Sequence, residues 1–358
     1  MLLINTVGTS LLAGWKDLDS SLDESHRARM VAAVRGLAET DRKLGAELTS
    51  IHSLCWQGVI KPGDRLLFLV SDTREGAFVG KVLGEIVKTQ GFAAESRTVH
   101  KLQGDDPKAF AQGLKNLVRE IAMCCRTLPD GEPWAINATG GYKAQISFAG
   151  LIGQVFQVPV YYQFETFPTA IALPPLPVSF DLTQWLAYRH ILDALNEGED
   201  GEFLRADDSR VKALPESLKV LLDMSQGYAT LNALGTLYHE GLKNRFLAQA
   251  SQFLPKDTGT PPSEKKIIYE DRNPGKHPGL ADWLEQIREA PYVTRIKTFY
   301  YNPGLPGRST VEPDSAHGDR VIAIYAAHGA TTKCFVFLSE NDPAKAQAAA
   351  AHLAEWIR

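Results

Sequence analysis

Ile136-Asn137-Ala138-Thr139-Gly140-Gly141-Tyr142-Lys143-Ala144 follows a short apolar run, Pro133-Trp134-Ala135-Ile136, and leads into Gln145-Ile146-Ser147-Phe148-Ala149-Gly150-Leu151-Ile152-Gly153. The order reads as strand, glycine turn, helix. Two adjacent glycines let the backbone approach a ligand closely, and the first amides of a helix lack intrahelical partners. Asn137, Thr139 and those amides can donate to phosphate oxygens, and Lys143 adds a positive charge. A glycine pair alone equally well makes a tight turn and nothing more, so the loops that accompany this one decide its reading.

Working outward, Met1 to Val7 reads as a buried strand running into Gly8-Thr9-Ser10, and residues 24–56 are helical in period. Asp64 to Val70 is a second buried strand closed by Ser71-Asp72-Thr73-Arg74, and Val79, Val82, Leu83 and Ile86 stripe the helix after it. Ala94 to Val99 is a third strand and Pro107 to Cys125 an amphipathic helix. Ile136 ends the fourth strand, and Val158 to Phe164 and Ala170 to Leu173 are later ones. Strands alternating with helices predict an α/β domain with a parallel, doubly wound sheet, whose ligands sit at the carboxyl ends of the strands near the switch point. The three loops there share small hydroxyls, amides and glycine, which suits sugar and phosphate contacts. None is GxGxxG and no Walker lysine motif occurs, so dinucleotide and P-loop readings are weak. Ser10 has no base near it in sequence, and helix capping is its simpler role.

A chain of 358 residues suggests two or three domains, and 44% hydrophobic with 22% charged residues is ordinary for a globular protein. A net charge of -4 argues against bulk, sequence-blind nucleic-acid binding, though a local basic site stays open. The four cysteines, Cys55, Cys124, Cys125 and Cys334, show no CxxC spacing, so neither a disulfide framework nor a zinc knuckle is indicated, and no metal is expected. No apolar run reaches the roughly 18 residues of a bilayer span and no targeting segment opens the chain. The expectation is a cytoplasmic protein without a membrane partner.

The Val-Gly-Thr-Ser turn after the first strand, together with Asn-Ala-Thr-Gly-Gly-Tyr-Lys after a later one, resembles a CARF domain over residues 1–175. That family is the Rossmann-like sensor of cyclic oligoadenylates in type III CRISPR systems. The resemblance implies a homodimer with the ring-shaped activator, cyclic tetra-adenylate in this reading, lying across its two-fold interface. It puts Thr9, Ser10, Ser71, Asp72, Thr73, Asn137, Thr139, Gly140, Gly141 and Lys143 near that ligand. Some members also cleave the ligand slowly by aligning a ribose hydroxyl with its phosphate, a role open to Lys143 and the Thr9/Ser10 turn.

Leu173-Pro174-Pro175-Leu176-Pro177 marks a boundary, because successive prolines exclude helix. Helices are predicted at Leu182 to Leu195, Leu214 to Met224 and Ala229 to Phe253, with a short wing near Glu202 to Arg210. Residues 176–260 thus resemble the winged helix-turn-helix unit that follows many CARF domains. They lack a basic recognition helix, which favours a spacer or dimerisation role over DNA binding.

Residues 261–358 are predicted as a strand at Lys265 to Glu270, a helix at Leu280 to Ala290, strands at Thr294 to Tyr300, Arg320 to Tyr325 and Lys333 to Leu338, and a last helix from Ala344. This is a small α+β domain around an antiparallel sheet. Gly318-Asp319-Arg320-Val321-Ile322-Ala323-Ile324-Tyr325, followed by Cys334-Phe335-Val336-Phe337-Leu338, resembles the RelE family of toxin ribonucleases. The resemblance implies a metal-independent endoribonuclease that cuts mRNA in the ribosomal A site. Arg295 and Lys297, which period-two alternation puts on one face, fall where that family carries paired basic residues. Arg320, Arg295 and Lys297 are the catalytic candidates, with Arg308, His317 and Lys333 behind them; a solvated strand edge is the better reading of Lys333. Fixed cations oppose the charge that develops on phosphorus, and His317 can act as general acid or base. The family's tyrosine near the C-terminus has no clear counterpart here. Residues 263–358 hold 12 Lys and Arg against 12 Asp and Glu, so the domain is not basic overall.

Two alternatives stand beside this. Arg272-Asn273-Pro274-Gly275-Lys276-His277 has the letters of the motif in HEPN ribonucleases, but that motif needs a helix, which Pro274-Gly275 breaks. A non-enzymatic regulator, with the winged helix on DNA, is the other.

Overall fold

The computed structural model describes residues 1–15, 21–39, 41–129, 131–178, 180–196, 204–270 and 277–357. The chain forms two compact units, residues 1–180 with 232–244, and residues 181–231 with 245–358. The segment expected as a separate middle domain is divided between them.

The first unit runs β1 (Leu2–Thr6), α1 (Ser10–Ala13), α2 (Glu24–Arg35), α3 (Gly45–Trp56), β2 (Arg65–Ser71), α4 (Arg74–Thr89), β3 (Ala93–Val99), α5 (Pro107–Thr127), β4 (Trp134–Asn137), α6 (Lys143–Phe156), β5 (Val160–Tyr162) and β6 (Ile171–Leu173). Its sheet has the order β3-β2-β1-β4-β5-β6, with β1 to β5 parallel and β6 antiparallel to β5. The antiparallel edge departs from the all-parallel expectation. Too little chain joins Tyr162 to Ile171 for a parallel crossover, which needs about a dozen residues or more.

Period two divides the strand side chains between two apolar layers. Leu3, Leu66, Phe68 and Val70 pack with Met30, Leu48, Ile51, Val79 and Leu83 on one face. Leu2, Ile4, Leu67, Leu69 and Ile136 pack with Leu117, Val118, Ile121, Phe148 and Ile152 on the other. Both faces of the central strands are therefore covered, which makes the strand ends the expected place for a ligand. The order reverses between β1 and β4, so the loops after those two strands flank the switch point.

The second unit opens with α7 (Leu182–Asn196), β7 (Leu204–Arg205), α8 (Ser209–Lys212), α9 (Glu216–Lys219), β8 (Leu222–Ser225) and β9 (Tyr228–Leu231). After it, α10 (Ala233–Gln249) belongs to the first unit as far as Asn244. The strands form a small sheet, β7-β9-β8. The helix expected at Leu214 to Met224 is cut to the short α9, with β8 taking its end, whereas the helix expected at Ala229 to Phe253 is present as α10 and loses only its first residues to β9. Leu222 to Ser225 alternates with period two, and Gln226 and Gly227 have φ of 51° and 80°. Two successive positive φ values make a type I′ turn, whose twist matches a hairpin and not a helix. At Gly227 a Cβ would meet nothing within 4 Å, so Gly227→Ala isolates backbone strain. We expect it to lower the stability of the second unit by about 1–2 kcal/mol in chemical denaturation; no change would remove the turn as a determinant of this hairpin.

The larger sheet of this unit comes from β10 (Lys266–Tyr269), β11 (Val293–Asn302), β12 (Thr310–Pro313), β13 (Arg320–Ala327) and β14 (Ala330–Leu338), in the order β10-β11-β14-β13-β12. All pairs are antiparallel except β10 with β11, which again corrects the purely antiparallel expectation. β12 was not legible because it is short, ends in Pro313 and sits at an edge, where proline is tolerated. α11 (Leu280–Arg288) and α12 (Pro343–Trp356) cover one face. Leu280, Trp283, Leu284 and Ile287 meet Ile296, Val321, Cys334 and Val336 there, beside Ala346, Ala350 and Leu353. Small alanines let α12 approach the sheet closely. α7 joins this body through Arg189, which is buried, donates to the Ala351 carbonyl at 2.7 Å and pairs with Asp193 and Glu355.

Candidate functional site

Two clusters carry chemistry, one in each unit. At the switch point of the first, the turn after β1 and the loop after β4 are bound together by a residue the sequence reading missed. Glu47, buried near the start of α3, accepts from the Gly8 amide at 2.7 Å and from Ser10 Oγ at 2.9 Å. Ser10 Oγ in turn accepts from the Ala46 amide at 3.0 Å, so it serves the first turn of the distant α3 and not the helix it opens. Thr6 Oγ1 donates to the Gly140 carbonyl. A Cβ on Gly8 would lie 2.8 Å from the Gly141 nitrogen, which shows how closely the two loops touch. Gly141 has φ of 108°, open to glycine and strained for any other residue, and the Tyr142 amide donates to Gln145 Oε1 at 2.7 Å. The signal for Glu47 was present: it lies on the stripe of Leu44, Leu48 and Ile51, a carboxylate on an apolar helix face.

The predicted ligand residues divide into two groups. Asn137 is 1% exposed and fully used: its amide donates to Asn5 Oδ1 and Ser50 Oγ, both at 2.9 Å, and its carbonyl oxygen accepts from Thr139 Oγ1 at 2.7 Å. Thr139 Oγ1 also accepts from the Gln163 amide at 3.0 Å. Ser71 Oγ shares a hydrogen bond with Thr73 Oγ1, which caps α4 by accepting from Gly76 N at 3.0 Å. Asp72 takes the Lys101 amide at 3.0 Å and His100 Nδ1 at 2.8 Å. These five shape the loops through hydrogen bonds within the unit, with Asp72 still partly exposed. Thr9, Ser10 and Lys143 are exposed, with Lys143 at the first position of α6, while Gly140 and Gly141 bring the backbone to the same strand ends.

In the second unit, the sheet face away from α11 and α12 gathers the predicted basic residues. Arg295 and Arg320 both stand opposite Phe337, on the two strands that flank β14, and Lys297 stands opposite Phe335. Two strand spacings separate the arginine backbones, about 10 Å. The Arg295 guanidinium lies over the Phe337 ring and that of Arg320 over the Phe335 ring, each 4.1 Å from the centroid. Phe299 stacks on Phe335 with centroids 4.0 Å apart. Arg320 Nε donates to Asp314 Oδ2 at 2.7 Å, and His317 Nδ1 is 3.0 Å from Arg320 Nη2. Burial would raise the Asp314 carboxyl, but the Arg320 hydrogen bond, the Ala316 amide and the Arg320 charge hold it below its usual range. Lys297 pairs with Glu270 at 2.7 Å. Lys333 Nζ lies 5.7 Å from the Tyr300 ring. Arg308 stands on the exposed loop before β12 and not on these strands.

Of the alternative motif, Arg272 to Lys276 lie outside the described residues. His277 is buried, its ring nitrogens 2.8 Å from Thr332 Oγ1 and 3.0 Å from the Ala327 carbonyl, in a unit built on strands and not on a helical bundle. Among the described residues no group of three or more His, Cys, Asp or Glu is disposed to hold a metal ion, and no helix is long and apolar enough to cross a membrane.

Residues 42–176 match the family model Cas_APE2256, described as a CRISPR-associated protein. The match supports a CRISPR-associated protein. It begins before Glu47 and takes in both the Ser71–Thr73 loop and the Asn137–Lys143 loop, so the CRISPR-associated segment contains most of the switch-point cluster. No curated protein matches the chain. Among solved structures, the crystal structure of protein VC1899 from Vibrio cholerae is similar at 10% identity over 95% of this chain and 78% of that one, with a TM-score of 0.29.

Proposed function

We propose that this CRISPR-associated protein is a ribonuclease switched on by a cyclic oligoadenylate, with cyclic tetra-adenylate the first ring to test. The carrying observation is the face on which Arg295, Lys297, Arg320 and His317 converge around an aromatic cluster. In this reading an RNA 2′-hydroxyl attacks the adjacent phosphorus, the 5′-oxygen leaves, and a 2′,3′-cyclic phosphate remains. His317 moves a proton, and the two guanidiniums oppose the charge that develops on the phosphoryl oxygens. mRNA held by the ribosome is the substrate of the resemblance. The first unit is the sensor: Thr9, Ser10, Lys143 and the glycine backbone meet the ring, and Glu47 fixes the two loops that carry them. A ligand can drive such a switch only by binding the active state more tightly than the resting one. A homodimer gives a symmetric ring equal contacts from two copies.

The test is mRNA cleavage in a purified translation reaction, with and without cyclic tetra-adenylate. Cleavage that needs both ring and ribosome supports the reading, and no cleavage with any cyclic oligoadenylate sinks the nuclease half. Lys143→Ala is expected to raise the ring concentration needed for half-maximal activity about tenfold, as the loss of one exposed phosphate contact of about 1.4 kcal/mol would.

The order helix, strand, two short helices, hairpin over residues 182–231 favours a second reading, a regulator that binds DNA through a winged helix. Footprinting on promoter DNA without RNA cleavage would select it.

A further inference from the structure

The aromatic side chains of the second unit's open sheet face lie outside its buried core. Phe335 and Phe337 alternate on β14 with Cys334, Val336 and Leu338, which point into the core, so period two turns both rings outward. Phe299 is 38% exposed. Phe335 carries two flat partners, the Phe299 ring at 4.0 Å and the Arg320 guanidinium at 4.1 Å, and a single ring offers each of them an opposite face. The result is a short pile of π-planes standing on the sheet, with the Arg295–Phe337 pair beside it. Phe335 and Phe337 are 6.4 Å apart between centroids. Among the described residues, neither Arg295 nor Lys333 forms an ion pair with a carboxylate, so both charges are available to a polyanion.

We propose that this face is a stacking platform for unpaired RNA, on which bases lie against Phe299 and Phe337 while Arg295, Lys297, Arg320 and Lys333 meet the phosphates. The occupant follows from combining planes with cations: stacking asks for exposed base faces, which a duplex hides, and the cations ask for a backbone. A protein partner would use the rings but has no call for four cations around them. The proposal deepens the nuclease reading and rests on it for the choice of RNA. It adds that the second unit has its own affinity for single strands, without ribosome or activator.

The experiment is fluorescence anisotropy of the full chain with a labelled single-stranded RNA of mixed sequence, the same sequence as a duplex, and purified ribosomes. Wild type is compared with Phe299→Leu and Phe337→Leu, which keep apolar bulk on the surface but remove the π-face. The expected result is a single-strand preference, with each substitution weakening binding roughly five- to a hundredfold. The logarithmic salt slope should be no steeper than about -3, as four cations allow. Equal binding of single strand and duplex, or binding unmoved by both leucine variants, overturns the platform. So does affinity for ribosomes with none for the oligonucleotide, which would make the face a protein or rRNA dock. Stacking-dependent binding with no activated cleavage leaves the platform standing and sinks the nuclease reading; activated cleavage with no oligonucleotide binding does the reverse.

Discussion

Arg320→Ala is expected to lower the rate of activated RNA cleavage by about 10²- to 10³-fold, the usual loss when one fixed donor to a developing oxyanion is removed. The fall should appear in kcat more than in KM, because a group that meets charge only at the transition state adds little to ground-state binding. Arg320 has two neighbours that complicate the reading. Its Nε donates to Asp314 at 2.7 Å, so alanine also strips a nearly buried carboxylate of its partner. Arg320→Lys keeps the charge near Asp314 but loses the planar fork that covers Phe335, and should fold like wild type while staying impaired. Asp314→Asn makes the complementary test. It leaves the arginine and releases its charge, so cleavage should be maintained or rise. Asp314 is held below the usual carboxylate range, so its contribution is complete above about pH 4 and is lost only as pH falls through the lowered value. A pH profile between about 5 and 8 therefore reports groups other than this pair. If all three variants cleave like wild type, the arginine is a strand-edge charge and the face is not a nuclease site.

Much of this face was readable in advance. The RelE resemblance points to Arg295, Lys297 and Arg320, alternation puts the first two on one face, and the register sets all three around β14. The aromatics were equally legible, since Phe335 and Phe337 share the parity of Lys333, but attention to charge left them in the apolar inventory. Asp314 was not legible. It lies in the short turn between β12 and β13, and only the pairing of those two strands sets it against Arg320. In the first unit the strand–helix alternation carried the topology, while the hydrogen-bond roles were hidden. Asn137 and Thr139 look like ligand donors as letters, yet their groups are consumed by Asn5, Ser50 and Gln163, which lie far away in sequence. The middle stretch failed for a different reason. Leu214 to Met224 has enough apolar residues to mimic a helix, and only the two-residue turn at Gln226-Gly227 marks its end as a strand of a hairpin.

Gly140→Ala is expected to be strongly damaging to the packed loops after β1 and β4. An added Cβ would overlap the Glu47 carboxylate, lying 2.6 Å from Cδ, and would sit 2.8 Å from the Thr6 carbonyl oxygen. One obstacle is a side chain and the other is backbone of a buried central strand, so the loop cannot simply slide away. Overpacking of this kind costs about 3 kcal/mol, and for a unit of this size that lowers its melting temperature by about 6–12 °C. Activator binding should be lost with it, because moving Gly140 disturbs the Thr6 hydrogen bond and the Gly8–Gly141 contact together. A double-mutant cycle with Glu47→Ala separates packing from ligand contact. Alone, Glu47→Ala leaves the Gly8 amide and the Ser10 hydroxyl without their acceptor, a loss of about 1–3 kcal/mol. Combined, the new methyl enters space the carboxylate has vacated, so the pair should be less destabilised than the two singles added. Relief will be partial, because the Thr6 carbonyl remains. Strict additivity would mean that Glu47 and Gly140 do not share one packed volume, and the buried carboxylate would then lose its role as the tie between the β1 and β4 loops.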